Sequence, residues 1–110
     1  MLKTMQGIAA TAMVAALALP MAAHAEGRWT GEFKPGGPYV SSGVNFHFRV
    51  SNVPATANCP QTWAYINETD SGAKGKIAAL LLAYAQGKSI DIFVDTGDGG
   101  YCHVVEFVVK

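Results

Sequence analysis

Apolar and polar residues alternate most cleanly from Val44 to Ser51. Val44, Phe46, Phe48 and Val50 fall on one side, and Asn45, His47, Arg49 and Ser51 on the other. That period of two predicts a half-buried strand with one core face and one solvent or binding face. An earlier strand is expected from Arg28 to Phe33, with Trp29, Gly31 and Phe33 alternating against polar neighbours. Lys34-Pro35-Gly36-Gly37-Pro38 breaks it, and Tyr39-Val40 resumes extended structure or ends a loop. After a loop from Asn52 to Pro60, a strand from Thr62 to Asn67 puts Trp63 and Tyr65 on one side and Ala64 and Ile66 on the other.

From about Gly72 to Gln86 the period becomes helical. Ile77, Leu80, Leu81 and Tyr84 recur at helical spacing, and Ala78, Leu82 and Ala85 widen the stripe. Asp70 and Ser71 are N-cap candidates, and Gly87 is a natural residue to end the helix. Ser89 to Asp95 reads as a strand with Ile90, Ile92 and Val94 inward. Thr96 to Gly100 reads as a turn. Tyr101 to Val109 is apolar on both faces, which predicts a strand covered on both sides. The expected fold class is therefore mainly β with one helix, in the order β-β-β-α-β-β. Five strands with the helix between the third and fourth is the order of the OB-fold, a small partly open Greek-key barrel. The helix would plug one end of that five-stranded barrel.

The first residues change the picture. Lys3, an uncharged apolar run from Ile8 to Leu19 and the small-x-small triplet Ala23-His24-Ala25 make a signal peptide over 1–25, cut before Glu26. The run is short for a membrane span of about 20 residues, so no membrane insertion is expected after its removal. The rest, 26–110, is a single domain of 85 of the 110 residues. Losing Lys3 leaves seven of eight basic residues against eight acidic ones, a net charge of −1. That balance lacks the basic face a nucleic-acid partner requires. Export to the periplasm or the exterior makes disulfide formation the expected fate of the only two cysteines, Cys59 and Cys102. A free thiol pair or a metal pair is the alternative, and no CxxC or His-Cys cluster accompanies it.

Asn58-Cys59-Pro60, Trp63-Ala64-Tyr65-Ile66-Asn67, Leu81 to Lys88, Ile90 to Asp95 and Gly100-Tyr101-Cys102 together resemble a group of small exported bacterial proteins. These share a signal peptide, a Cys-Pro before a strand, a helix ending Ala-x-Gly-Lys, and a second Cys after Gly-Tyr. In outline the chain is also similar to the B subunits of AB5 toxins of the subtilase-cytotoxin type. That resemblance implies a disulfide-bonded OB-fold, assembly into a pentameric ring and binding to cell-surface glycans. It covers about the last 50 residues. Trp29 to Val53 matches neither group, so no binding residue carries over.

Candidate chemistry is sparse. His47 and His103, even with Glu32, Asp91 or Glu106, lack the spacing of a metal site. Asp95 to Gly100 lacks the alternating ligands and the terminal glutamate of a calcium loop and reads as a hairpin turn. Ser41-Ser42-Gly43 has no nucleophile-elbow context, and no two carboxylates are singled out by spacing. No catalytic residue, cofactor or metal is expected. The aromatic residues Trp29, Tyr39, Trp63, Tyr65 and Tyr101 are more telling, since aromatic rings stack on sugars and an OB-fold presents its second and third strands for binding. Trp63 and Tyr65 read first as packing residues. The candidate ligand-binding set is Asn45, His47 and Arg49 on the polar side of the second strand, with Tyr39 and Trp29 nearby. The expectation is an exported, non-enzymatic module that binds a glycan or another cell-envelope ligand. The second reading is a structural or assembly protein, a homo-oligomeric ring subunit or a protein inhibitor; a small hydrolase comes third.

Overall fold

The computed structural model describes residues 27–110. The signal peptide expected over 1–25 and its cleavage before Glu26 lie outside the described residues. Six strands and one helix follow in order: β1 (Arg28–Phe33), β2 (Tyr39–Val40), β3 (Phe48–Ser51), β4 (Trp63–Ile66), α1 (Ala73–Ala85), β5 (Ile90–Thr96) and β6 (Cys102–Val109). They form one mixed sheet in the order β1-β5-β6-β4-β3-β2. All neighbours are antiparallel except β4 and β6, which run parallel. The expected five-stranded barrel is thus replaced by a six-stranded sheet that does not close. Tyr39-Val40 supplies the extra strand by pairing with Arg49 and Phe48, so β1 and β2 are left as open edges. Among the described residues no helix is long and apolar enough to cross a membrane.

One face of the sheet makes the core. Phe48 and Val50 of β3, Ala64 and Ile66 of β4, Ile90, Ile92 and Val94 of β5, and Cys102 and Val104 of β6 are all buried there. Their alternation with polar residues is what a sheet covered on one side demands. Leu80, Ala83 and Ala73 of α1 close over it, with Ile77 packed alongside. The helix is therefore turned from its expected stripe: Leu80 is 3% exposed, whereas Leu81 is 37% and Leu82 57% exposed. Small alanines at 73 and 83 let the helix approach the sheet closely, and the larger leucines point away. Its C-terminus is closed as expected. Gly87 takes φ 66°, its N–H bonds the Tyr84 carbonyl, and the Lys88 N–H reaches Ala83, the paired bonds of a Schellman motif. Neither Asp70 nor Ser71 caps the other end, where Gly72 stands at φ 71°.

Three further expectations are corrected. A bulge between Trp29 and Glu32, with Gly31 at φ 91°, sends Trp29 and Phe33 to opposite faces, so Phe33 enters the core and Trp29 does not. Only Phe48–Ser51 of the expected 44–51 strand is extended. Phe46 sits at φ 53° because its N–H is captured by Asn67 Oδ1 at 2.8 Å, while the Glu68 N–H bonds Val44 O at 2.8 Å. The chain before Phe48 is tied to the end of β4 as a turn, and Val44 is exposed. β6 is buried at its start, but Val108 and Val109 run out into solvent, because α1 covers only part of its length.

Cys59 and Cys102 form a disulfide with Cα atoms 5.4 Å apart. It joins the loop before β4 to the first residue of β6. Arg28 braces the same corner: its Nε donates to Ala57 O at 2.6 Å and its Nη2 to Asn58 O at 3.3 Å.

Candidate functional site

The face of the sheet opposite α1 carries most of the aromatic side chains. Strand register puts them there. Tyr39 of β2 stands across from Arg49, Arg49 across from Tyr65, Ser51 across from Trp63, and Tyr65 across from His103. Side chains opposite one another on a strand pair share a face, so these residues form one row running across β2, β3, β4 and β6.

Arg49 is the centre of its exposed half. Its guanidinium lies 4.6 Å from the Tyr39 ring centroid and 4.3 Å from that of Trp63. Both distances are within the range in which the cation is attracted by ring quadrupoles. Trp63 in turn stacks on Tyr101 at 4.6 Å with the rings 13° from parallel. The sequence Tyr39, Arg49, Trp63, Tyr101 is thus a continuous run of flat groups. Tyr39 is exposed, and Arg49, Trp63 and Tyr101 are half-buried. Among the described residues the Arg49 guanidinium has no hydrogen-bond or ion-pair partner, and its Nε is covered as well as unpaired.

The other half of the row is closed. Tyr65 is 1% exposed, although it lies on the side away from the helix. The turn that reverses Phe46 lays its ring 4.3 Å from Tyr65, and His103 stacks on Tyr65 at 4.7 Å. The Tyr65 hydroxyl accepts the Asp98 N–H at 2.9 Å. Burial pushes its pKa above the usual 10.0, more strongly than the Asp98 amide lowers it, and the nearby Asp98, Asp70 and Asp95 charges add to the rise. His103 Nε2 lies 2.5 Å from Asp70 Oδ2 and its Nδ1 3.9 Å from Asp95 Oδ1. Asp70 also accepts the Asn67 N–H at 2.8 Å, which is why it does not cap α1. This arrangement fastens the turn before the helix to the sheet.

The expected binding residues separate into three places. Tyr39 and Arg49 come together on the row. Asn45 lies exposed in the turn before β3, and His47 Nδ1–H donates to Gly43 O at 2.8 Å within that same turn; the strand that would have aligned both with Arg49 is absent. Trp29 packs edge-on against Phe93 at 5.4 Å on β1, at the opposite edge of the sheet from Tyr39. Trp63, Tyr101 and Phe46 belong to the row and were not among the expected site residues. The alternation of Trp63 with Ala64 was the available signal for Trp63. The pairing of Trp63 with Arg49 depends on strand register, and Phe46 depends on the Asn67 hydrogen bond.

A cleft between the loop 35–38 and the end of α1 reaches the row at Arg49; lined by Pro35, Pro38, Phe48, Arg49, Leu80 and Tyr84, it holds about 10 Å³, space for one water. Among the described residues no three His, Cys, Asp or Glu side chains gather within reach of one metal ion. A ligand on this surface would lie across the rims of stacked flat groups and be met by aromatic edges and by one cation. Set beside known protein families, curated proteins and solved structures, the chain matches none.

Proposed function

We propose that the protein is an exported, non-enzymatic binding module with an OB-fold-like core, and that a glycan of the cell envelope or cell surface lies on the row Tyr39–Arg49–Trp63–Tyr101. The observation that carries this reading is the half-buried run of stacked flat groups on the side of the sheet that the helix leaves free. Such a run offers a sugar an apolar rim of ring edges, with the exposed Tyr39 ring at its end, and a charged, hydrogen-bonding group for its polar substituents. The row also lies on β3 and β4, the counterparts of the second and third OB-fold strands that bind oligosaccharides. An immobilised glycan panel tests it: the secreted protein binds a subset of sugars, and Trp63→Ala, which removes the middle ring, loses that binding while remaining folded. A panel with no binder above background would end this reading.

The second reading, assembly of copies into a ring or capture of another protein, is favoured by a different observation. Leu82 and Tyr84 are exposed on α1 beside half-exposed Leu81, and both edges of the sheet are open. The mass of the purified protein in solution tests it; a monomer at all concentrations would exclude self-assembly.

A further inference from the structure

We propose that the Cys59–Cys102 bond is a site of directed thiol–disulfide exchange. A low-molecular-weight thiol of the glutathione class adds to Cys59, and Cys102 leaves as a thiolate held by Arg28. The proposal is independent of what the aromatic row binds.

The two sulfurs stand in different surroundings. Cys102 is 0% exposed and opens β6, where it pairs with Ala64 on one side and Thr96 on the other. Cys59 is 6% exposed and sits in the loop before β4, between the exposed residues Asn58 and Pro60. The loop on either side of it is wound into short 3₁₀ turns, Ala55–Ala57 and Pro60–Thr62. Local opening of such turns uncovers Cys59, whereas uncovering Cys102 means parting the sheet. Of the two sulfurs, Cys59 is the one an incoming thiol reaches.

Arg28 makes the same distinction by charge. Its Nη2 lies 3.4 Å from Cys102 Sγ. A disulfide sulfur is a weak acceptor and gains little from a neighbouring cation. A thiolate in the same place turns the contact into a charge-assisted bond, about twice as strong as a neutral one. Arg28 and Cys102 are both strand residues, joined through β5, so their backbones stay together when the loop opens. Exchange is faster, and lies further toward product, when the leaving sulfur is the better-stabilised thiolate.

The step balances. The sulfur of the thiol bonds Cys59 Sγ as the Cys59–Cys102 bond breaks, and the electron pair of that bond stays on Cys102 Sγ. The proton of the thiol passes to solvent. One disulfide replaces another, and the thiol is the only co-reactant.

Arg28 has a second role, as a brace, through its bonds to Ala57 O and Asn58 O. The two roles predict opposite results when the charge is removed. Loss of a mere brace loosens the loop and makes the bond easier to reduce. Loss of the thiolate's partner makes it harder to reduce.

The test equilibrates the folded, oxidised protein with mixtures of reduced and oxidised glutathione at neutral pH. Acid quenching and peptide mass spectrometry then locate glutathione and free thiols. In wild-type protein glutathione is found on Cys59, in at least about tenfold excess over Cys102. That result needs no variant. For Arg28→Gln the equilibrium constant for reduction falls about tenfold, which lowers the potential by about 30 mV. Arg28→Lys, which keeps the charge, falls between the two. Circular dichroism checks that both variants fold. Glutathione on Cys102, or equally on both cysteines, would overturn the proposal. So would an Arg28→Gln protein reduced as readily as wild type or more so, and so would a wild-type bond that resists glutathione until urea unfolds the chain.

Discussion

Replacing Gly97 by alanine tests how firmly the closed half of the aromatic row is packed. An alanine Cβ at this position would fall inside the van der Waals radius of the Tyr65 hydroxyl, 2.9 Å from Cζ and 3.0 Å from His103 Cβ. The ring has nowhere to go, being held by Phe46 on one side and His103 on the other. Relief requires Tyr65 to shift and give up the Asp98 N–H. Overpacking of this kind costs about 1–3 kcal/mol, and loss of the hydrogen bond adds about 1 kcal/mol. The expected destabilisation is therefore about 2–4 kcal/mol, a large share of what a domain this size has. Urea denaturation followed by tryptophan fluorescence measures it. A double-mutant cycle identifies the cause: in a Tyr65→Phe background the nearest atom is gone, and Gly97→Ala should cost about 1 kcal/mol less. Additivity of the two changes to within about 0.3 kcal/mol, or a Gly97→Ala cost below about 0.5 kcal/mol, would refute the packing argument.

Three other outcomes are expected. Replacing Cys59 and Cys102 by serine removes a link across 43 residues of chain, and loop-closure entropy sets the loss near 4 kcal/mol; an unchanged urea midpoint would contradict it. Leu80→Ala, which opens a cavity under α1, should lower stability by about 2–5 kcal/mol, and Leu81→Ala by under about 1 kcal/mol; the reverse order in thermal melts would mean that the helix packs through its other face. Tyr65 keeps its proton in the folded state above the usual 10.0, so its contribution is constant below pH 10 and is lost as pH rises from there toward the folded-state value. Urea midpoints between pH 9 and 11 should accordingly fall more steeply for wild type than for Tyr65→Phe.

What the sequence could convey followed from local periodicity and chain chemistry. Ile90, Ile92 and Val94 alternate without interruption, and they lie inward. Gly87 is the one residue that ends α1 without strain. Two cysteines left one intramolecular pairing, and Cys59 and Cys102 form it. The misreadings come from interactions distant in sequence. Phe46 continues a perfect alternation with Phe48 and Val50, yet Asn67, 21 residues later, takes its amide and turns it to the other face. Trp29 and Phe33 share a parity that one bulged residue reverses. Leu81 lies on a plausible helical stripe, and which stripe meets the sheet is decided by where two alanines permit close approach. The candidate site was least legible of all. Arg49 and Tyr39 could be named as polar-face and nearby residues, but Trp63 joins them only through the β3–β4 register, which no spacing along one strand specifies.

The place of β6 has a consequence for how the chain matures. The sheet consists of two groups, β1 with β5 and β2 with β3 and β4, and these groups meet only on β6. Every other strand is synthesised before it. A chain emerging from its N-terminus therefore has both halves available and nothing to join them until the last stretch, Cys102–Val109, arrives. The second cysteine opens that same stretch, so the disulfide cannot form earlier either. Oxidation and completion of the sheet thereby wait for the same stretch of chain. In a pulse-labelled cell, the appearance of the oxidised species would time the arrival of the native sheet.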